Sequence, residues 1–293
     1  MRYMSSVTKA VSRPSFAKTA ENGDALGVAV GCTGVCFPHP FCYTIRMKAL
    51  IPAAGHGTRF LPVTRVVPKE MLPVGSKPAI HLIVEEALAA GADEVVIVIS
   101  PEKEIIRRYF DGDPALAARI RWAFQTEQKG LGHAVLQGAP LLANETEPVL
   151  VLLGDALVSG EAPSAAMAAI SRAHGGASVV GLEEVPLEKV SRYGIVRGEA
   201  IEERVLKLDD LVEKPAPEAA PSRLAIAGRY LLDPAIFTLL ATQTPGHGGE
   251  IQLTDAIRRL LADKPVYGYR YPGHRHDIGN PAGYLETLEA FAC

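Results

Sequence analysis

The sequence predicts an α/β fold, a sheet whose strands are joined by crossover helices. From Lys48 onward, short β-rich runs alternate with stretches whose apolar residues recur at helical spacing. Capping signals punctuate that alternation. Composition agrees, since 48% hydrophobic residues in a chain of 293, with 22% charged, supply a large core and exclude general disorder.

KALIPA (48–53) predicts a buried strand. Ile80, Ile83, Val84, Ala87 and Leu88 then mark a helix that Gly91 ends. EVVIVIS (94–100) is the second strand; Ser100 is expected to cap the next helix, with Pro101 at its first position. IRWAF (120–124), a helix from about Gly132, PVLVLLGD (148–155) and SVVGL (178–182) continue the alternation. Near residue 190 the rhythm changes, and YGIVRG, RVLKLDDLVEK and RLAIAGRYLL read as strands joined by turns. Asp233-Pro234 caps a helix, Leu253–Leu261 carries another, VYGYRY (266–271) is a late strand, and a last helix runs from Pro281 to about Ala292.

No uninterrupted apolar run approaches the roughly 20 residues of a membrane span. Thirty basic against 33 acidic residues give a net charge of −3, without the basic excess that nucleic-acid binding rests on. Four cysteines make no disulfide framework, so the expected setting is the reducing cytoplasm, with neither nucleic acid nor membrane as partner. Residues 1–46 stand apart: they carry +3 against −6 for the rest and have no clear periodicity. They read as an unstructured or misannotated extension, and 47–293 as the folded domain. Within the head, Cys32, Cys36, His39 and Cys42 offer four soft ligands at a spacing that matches no familiar zinc pattern. ALGVAVG (25–31) hints at a signal core without a cleavage site.

The stretch IPAAGHGTRFLPVTRVVPKEMLPVGSKP (51–78) carries the chemistry. A strand running into Ala53-Ala54-Gly55-His56-Gly57 puts bare backbone at the carboxyl end of a sheet strand, where α/β folds bind ligands. Gly55 and Gly57 can approach a phosphate closely and adopt positive φ. Arg59 and Lys69 follow as cations for anionic oxygens. The Gly-Lys-Ser/Thr of a P-loop is absent, and Phe60 stands where a dinucleotide fingerprint needs its third glycine. Pro62, Pro68, Pro73 and Pro78 predict a long extended loop folded over a ligand rather than an immediate helix.

These residues resemble the sugar-1-phosphate nucleotidylyltransferases. AAGHGTRFLP, PKEMLP and KP look like that family's signature, and PKEMLP is most similar to its bacterial branch acting on UTP and glucose 1-phosphate. QTEQKGLGHAV (125–135), LLGD (152–155), LVEKP (211–215), IAGRYLL (226–232), GEIQLTDAI (249–257) and HDIGNPAGYL (276–285) extend the likeness over essentially all of 47–293. The resemblance implies a Rossmann-like nucleotidyltransferase fold with a mixed, mainly parallel central sheet flanked by helices. The implied reaction is in-line attack of a sugar phosphate on the α-phosphorus of UTP, with Mg²⁺ as cofactor. The same chemistry with dTTP or another sugar phosphate is the near alternative; a binding module without turnover is the distant one, and a nicotinamide oxidoreductase ranks last.

Site residues follow from the same likeness, each beside a plainer reading. Asp155 and Asp277 are the implied metal carboxylates; as bare residues they also suit a helix N-cap and an Asx-turn. Arg59 and Lys69 would hold the triphosphate rather than stand as surface charges, with Ala54, Gly55, Gly57 and Thr58 around it. Gln125 and Gly130 are the implied base readers, though Gln125 alone reads as a strand-end polar residue. Glu213 would meet sugar hydroxyls and Lys214 the sugar phosphate, with Gly194 letting the sugar approach backbone; Glu-Lys is otherwise a common surface pair, and Gly194 a turn glycine. His133 reads as a helix-start or packing residue, because an ionised sugar phosphate needs no general base. Only residues 101–124 fill a segment that is longer in relatives, so any oligomer contact built there is in doubt and homo-oligomer formation stays open.

Overall fold

A sheet with helices on both faces must bury alternate side chains of each strand against different helices. The first strand, β1 (Met47–Pro52), does so: Ala49 and Ile51 enter one core cluster and Leu50 the other. The structure, a computed structural model, describes residues 47–142 and 144–292. Cys32, Cys36, His39 and Cys42 and the 25–31 run lie outside the described residues, as does the expectation for 1–46 as a whole.

After β1 the chain is not the extended loop that its prolines suggest. It folds into three 3-10 turns, Thr58–Phe60, Val63–Arg65 and Lys69–Met71, followed by a two-residue pair, β2 (Pro73–Val74) with β3 (Lys77–Pro78). Pro62 and Pro68 stand immediately before two of those turns, so they open turns rather than stretch the chain. Helix α1 (Ala79–Ala89) ends as predicted, with Gly91 at φ +102°. Strand β4 (Ala92–Ile99) leads through a 3-10 turn at Pro101–Lys103 into α2 (Glu104–Asp111). Ser100 holds the capping position there, but its hydroxyl caps no backbone N–H. Asp113 caps the short α3 (Pro114–Ala117), its Oδ1 accepting from Ala115 N and Leu116 N at 3.0 and 3.3 Å.

Next come β5 (Ile120–Phe124), α4 (Leu131–Gln137), α5 (Ala139–Leu142) and β6 (Val149–Leu152). Then follow β7 (Ala156–Ser159), α6 (Ser164–Ala173), β8 (Ser178–Glu184), β9 (Gly194–Ala200), β10 (Val205–Glu213) and β11 (Leu224–Leu232). The last are α7 (Ala235–Ala241), α8 (Leu253–Leu261), β12 (Val266–Arg270), β13 (His274–Asp277) and α9 (Pro281–Ala290), the final helix stopping two residues short of its expected end.

Nine strands form the main sheet in the order β5-β4-β1-β6-β11-β8-β12-β10-β9. Followed through their pairings, seven strands run one way; β10 and β11 run against them. Strand β9 also pairs back onto β11, Ile195 with Ala225, so the far end of the sheet curls on itself. Helices α1, α2 and α6 cover one face of the sheet, and α4, α7 and α8 the other. Outside the sheet, β7 and β13 pair antiparallel, with Ala156 opposite Asp277.

Candidate active site

The carboxyl ends of the four adjacent parallel strands β5, β4, β1 and β6 deliver Gln125, Lys103, the Ala53–Gly57 turn and Asp155. A crevice beyond the carboxyl ends of parallel strands is the ligand position of open α/β sheets. Two cavities lie there. One, of about 330 Å³, is lined by Ala54, Gly55, Lys69, Gln125, Gly130 and Asp155 among others. The other, of about 210 Å³, is lined by Arg59, Asp155, Gly194, Glu213, Arg275 and Asp277 among others. Asp155 faces both. Gly57, Thr58 and Lys214 line neither cavity.

Glycine is required at 57, where φ is +64° and a Cβ would sit 3.0 Å from Thr64 Cγ2. Thr64 Oγ1 donates to Gly57 O at 2.9 Å and fixes the turn. Gly55 has no positive φ and open space around it, so only one of the two glycines carries the expected left-handed conformation. Thr58 and Arg59 follow in a 3-10 turn and are exposed. Arg59 lines the second cavity rather than the first, and among the described residues no ion pair holds it.

Lys69 is half-buried, and its Nζ meets Asp155 Oδ2 at 2.6 Å. Burial alone would lower the Lys69 pKa, but Asp155, Glu70 and Asp277 together outweigh it and raise it, so the side chain stays an ammonium. Burial would push Asp155 up, yet the Lys69 charge and hydrogen bond hold its carboxyl below the usual carboxylate range. Asp155 precedes β7 and caps no helix, which removes its plainer reading. The buried guanidinium of Arg229 fixes the start of that strand, donating to Ala156 O at 2.8 Å while gripping both oxygens of Glu86 on α1 at 2.7–3.1 Å.

Asp277 makes the turn of its plainer reading and also stands near Asp155. Its Oδ1 accepts from Gly279 N at 2.7 Å in an Asx-turn, and the β7–β13 ribbon still sets it beside Asp155. Ile278 N donates to Asp155 O at 2.9 Å, and one point beside Gly279 lies within 3.4 Å of Asp277 Oδ1 and of Asp155 Oδ2.

Gln125 is 2% exposed, and its amide lies 2.9 Å from His133 Nδ1. The space a Cβ would take at Gly130, where φ is +97°, is filled by Glu250 Cβ at 2.7 Å and Ile251 O at 2.9 Å. That glycine therefore lets the GEIQ segment close against the start of α4. Gly130 also lines the first cavity. In the second cavity, Glu213 pairs with Gly194 across β10 and β9, and a Cβ at 194 would strike Thr254 Oγ1 at 2.7 Å. Lys214 Nζ stands 3.4 Å from Glu213 Oε1.

Three charged residues of the site escaped the sequence reading. Lys103 is buried, its Nζ reaching Glu70 at 2.8 and 2.9 Å and Ala53 O at 2.7 Å, so it ties β4 to the glycine turn. Burial lowers the Lys103 pKa and raises that of Glu70, each against the pull of the other's charge. Arg275 lies over the Tyr193 ring at 4.9 Å and pairs with Glu183 at 2.5 Å on the wall of the second cavity. A lysine at a helix start and an arginine between two histidines look like surface charges in sequence. Glu70 stood in the quoted PKEMLP motif without a role. Gln128, whose Nε2 donates to Ala54 O at 3.1 Å, was likewise within a quoted motif but not singled out.

A family profile described as nucleotidyl transferase matches residues 48–292. The chain belongs to that family. It is 43% identical over 266 residues to the UTP–glucose-1-phosphate uridylyltransferase of Staphylococcus haemolyticus, covering 84% of this chain and 92% of the relative. It is 42% identical over 264 residues to the enzyme of that name from Pseudomonas aeruginosa, covering 82% of this chain and 94% of the relative. Among solved structures it is similar to a UDP-glucose pyrophosphorylase complexed with UDP-glucose, with a TM-score of 0.77, 42% identity and coverage of 84% and 98%. It is also similar to the UTP-bound UGPase from Acinetobacter baumannii, with a TM-score of 0.73, 33% identity and coverage of 84% and 93%. The nucleotidyl transferase family supplies the frame for the two cavities that meet at Asp155.

Proposed function

We propose that this nucleotidyl transferase moves a uridylyl group from UTP to glucose 1-phosphate, giving UDP-glucose and pyrophosphate. A phosphate oxygen of the sugar attacks the α-phosphorus, and the bond from that phosphorus to the pyrophosphate oxygen breaks. The observation that carries the reading is the carboxylate of Asp155 standing where the cavity lined by the glycine turn, Lys69 and Gln125 meets the second, more polar cavity. Relatives named for this reaction, 42–43% identical over most of the chain, support the choice of substrates.

Both substrates are anions, so the site must offset their repulsion while aligning them. Lys69, held protonated by its acidic neighbours, supplies one fixed charge at the junction. Arg59, exposed and unpaired among the described residues, supplies a second that can swing onto phosphate oxygens. Glu213 and the Gly194 backbone offer an acceptor and a close approach for sugar hydroxyls, with Lys214 beside them. Asp155 and Asp277 suit Mg²⁺. Their oxygens share one neighbourhood, and no group of three or more His, Cys, Asp or Glu forms a closed cage among the described residues. Mg²⁺ usually binds through one or two carboxylates with substrate phosphates completing its shell. When bound it supplies positive charge to the phosphate oxygens. We assign the reaction to the cytoplasm; among the described residues no helix is long and apolar enough to cross a membrane.

The test is pyrophosphate release from a panel of UTP, dTTP and CTP with glucose 1-phosphate and other sugar phosphates. The expected result is fastest turnover with UTP and glucose 1-phosphate, lost on chelation and restored by Mg²⁺. No turnover with that pair would remove the assignment.

A further inference from the structure

The backbone leaving β1 is pinned as far as Ala53 and then left open. Gly154 N donates to Pro52 O at 3.2 Å, and Ala53 N donates to Val98 O at 2.8 Å. The next tie runs from Lys103 Nζ to Ala53 O, at 2.7 Å. Beyond it the N–H groups of Ala54, Gly55, His56 and Gly57 have no hydrogen-bond partner among the described residues. Ala54 is 2% exposed, and a buried N–H without a partner is rare in folded chains. Ala53, Ala54 and Gly55 all line the first cavity.

A trans peptide is planar, and its C=O and N–H point opposite ways. The Ala53–Ala54 peptide is trans, so holding Ala53 O on Lys103 turns the Ala54 N–H to the side away from that lysine. The direction of this contact has one reading, because an ammonium only donates and a carbonyl only accepts. Lys103 does not line the cavity. Its ammonium is taken up by Ala53 O and by Glu70 Oε2 and Oε1, the last two at 2.8 and 2.9 Å, which leaves no N–H of Lys103 for a ligand.

We propose that Lys103 is a positioning residue for the nucleotide, holding the Ala53 carbonyl so that the Ala54 N–H stands ready to donate to an oxygen of UTP. The inference rests on the proposed function and deepens it, since it names what orients the backbone of that nucleotide site. Glu70 completes the device. It fixes the ammonium from the other side, and it belongs to the 3-10 turn Lys69–Met71, so one buried cation sets a backbone donor and anchors the turn carrying Lys69. With Lys103 gone, the Ala53–Ala54 peptide is free to rotate and must be ordered again by each nucleotide that binds. The loss therefore falls on binding rather than on the chemical step.

The experiment compares wild type, Lys103→Met, Glu70→Gln and the Lys103→Met/Glu70→Gln double variant by UTP calorimetry, by kcat and the KM of each substrate, and by thermal unfolding. Lys103→Met is expected to weaken UTP binding roughly tenfold, the factor of one hydrogen bond no longer preset. The loss should appear as a raised KM for UTP, with kcat and the KM for glucose 1-phosphate each within about threefold of wild type. The double variant separates positioning from stability. Neutralising both partners restores the melting temperature, so a merely structural Lys103 would regain UTP affinity there. A positioning Lys103 leaves Ala53 O without its donor in either background, and roughly the same tenfold fall is expected from Glu70→Gln to the double variant. A double variant that binds UTP as tightly as Glu70→Gln overturns the inference, as do equal rises in both KM values. Should Lys103→Met fail to fold, Glu70→Gln against the double variant decides by the same criterion. A wild type that binds UTP but turns it over with no sugar phosphate overturns the proposed reaction, and the dissociation constants still read the inference; a wild type that binds no UTP overturns both.

Discussion

Replacing Lys103 with Met takes the cation from a buried pair whose partner, Glu70, is 1% exposed. Contacts of 2.8 and 2.9 Å join the ammonium to both carboxylate oxygens, and one of 2.7 Å joins it to Ala53 O. At the 2.8 Å separation and an effective dielectric near 20, the attraction is about 6 kcal/mol. Desolvating the two ions costs several kcal/mol each and largely offsets it. Removing one partner forfeits the attraction while Glu70 stays desolvated, so the variant is expected to lose about 3–5 kcal/mol. For a folded unit of this size that is a fall in Tm of roughly 6–20 °C. The double variant Lys103→Met/Glu70→Gln buries no charge and is expected to recover most of the loss, short by about 1 kcal/mol for the donor taken from Ala53 O. The loss also has a pH signature. Burial raises the Glu70 pKa above its ordinary 4.5, so the folded chain holds that proton more tightly than the unfolded one. Stability from this group is therefore present at low pH and falls as pH rises through the raised value. Without Lys103 to oppose it the rise is larger, and the single variant should regain part of its deficit as pH falls from neutral through that raised value. Thermal and urea unfolding of wild type, Lys103→Met, Glu70→Gln and the double variant, followed by circular dichroism, measure all of this. A Lys103→Met protein melting within about 2 °C of wild type, or a double variant in which the two losses simply add, would refute the reasoning.

Asp155→Asn keeps the size of the side chain but removes the charge that faces both cavities; turnover is expected to fall by roughly a hundredfold or more with the fold retained, checked by pyrophosphate release beside circular dichroism. Gly130→Ala forces a Cβ to within 2.7 Å of Glu250 Cβ at a φ of +97°, and is expected to cost about 1–3 kcal/mol and to weaken UTP binding, read by unfolding and calorimetry. The Asp155 carboxyl is held below its ordinary 3.8 despite burial, so its contribution to stability is present above that value and is lost as pH falls through the lower folded one. The stability difference between wild type and Asp155→Asn should therefore narrow below pH 3.8, and a constant difference down to the acid transition would count against the pairing with Lys69.

Much of the fold was legible because its strands and helices carry their own periodicity. Val95 to Ile99 are buried on both faces and read as an apolar run; α8 shows Leu253, Ala256, Ile257 and Leu260 at helical spacing. The β7–β13 ribbon was not legible. His274-Arg275-His276-Asp277 has no apolar alternation, and its partner strand lies more than a hundred residues earlier in the chain. The prolines of 62–78 misled for a related reason: proline excludes helix interiors but opens turns, and the choice between turns and an extended path depends on what the loop packs against. At the site, Gln125 was found by likeness, but its contact with the His133 ring at 2.9 Å exists only in three dimensions.

The sequence by itself determined the α/β alternation, the glycine turn after the first strand and the identities of the charges around it, because periodicity, backbone freedom and side-chain chemistry are local properties. The tertiary structure decided which charges became partners: Lys69 with Asp155, Lys103 with Glu70, and Asp277 alongside Asp155 through an unforeseen ribbon. Desolvation and Coulomb energy depend on depth and distance, and those exist only once strands far apart in the chain lie side by side.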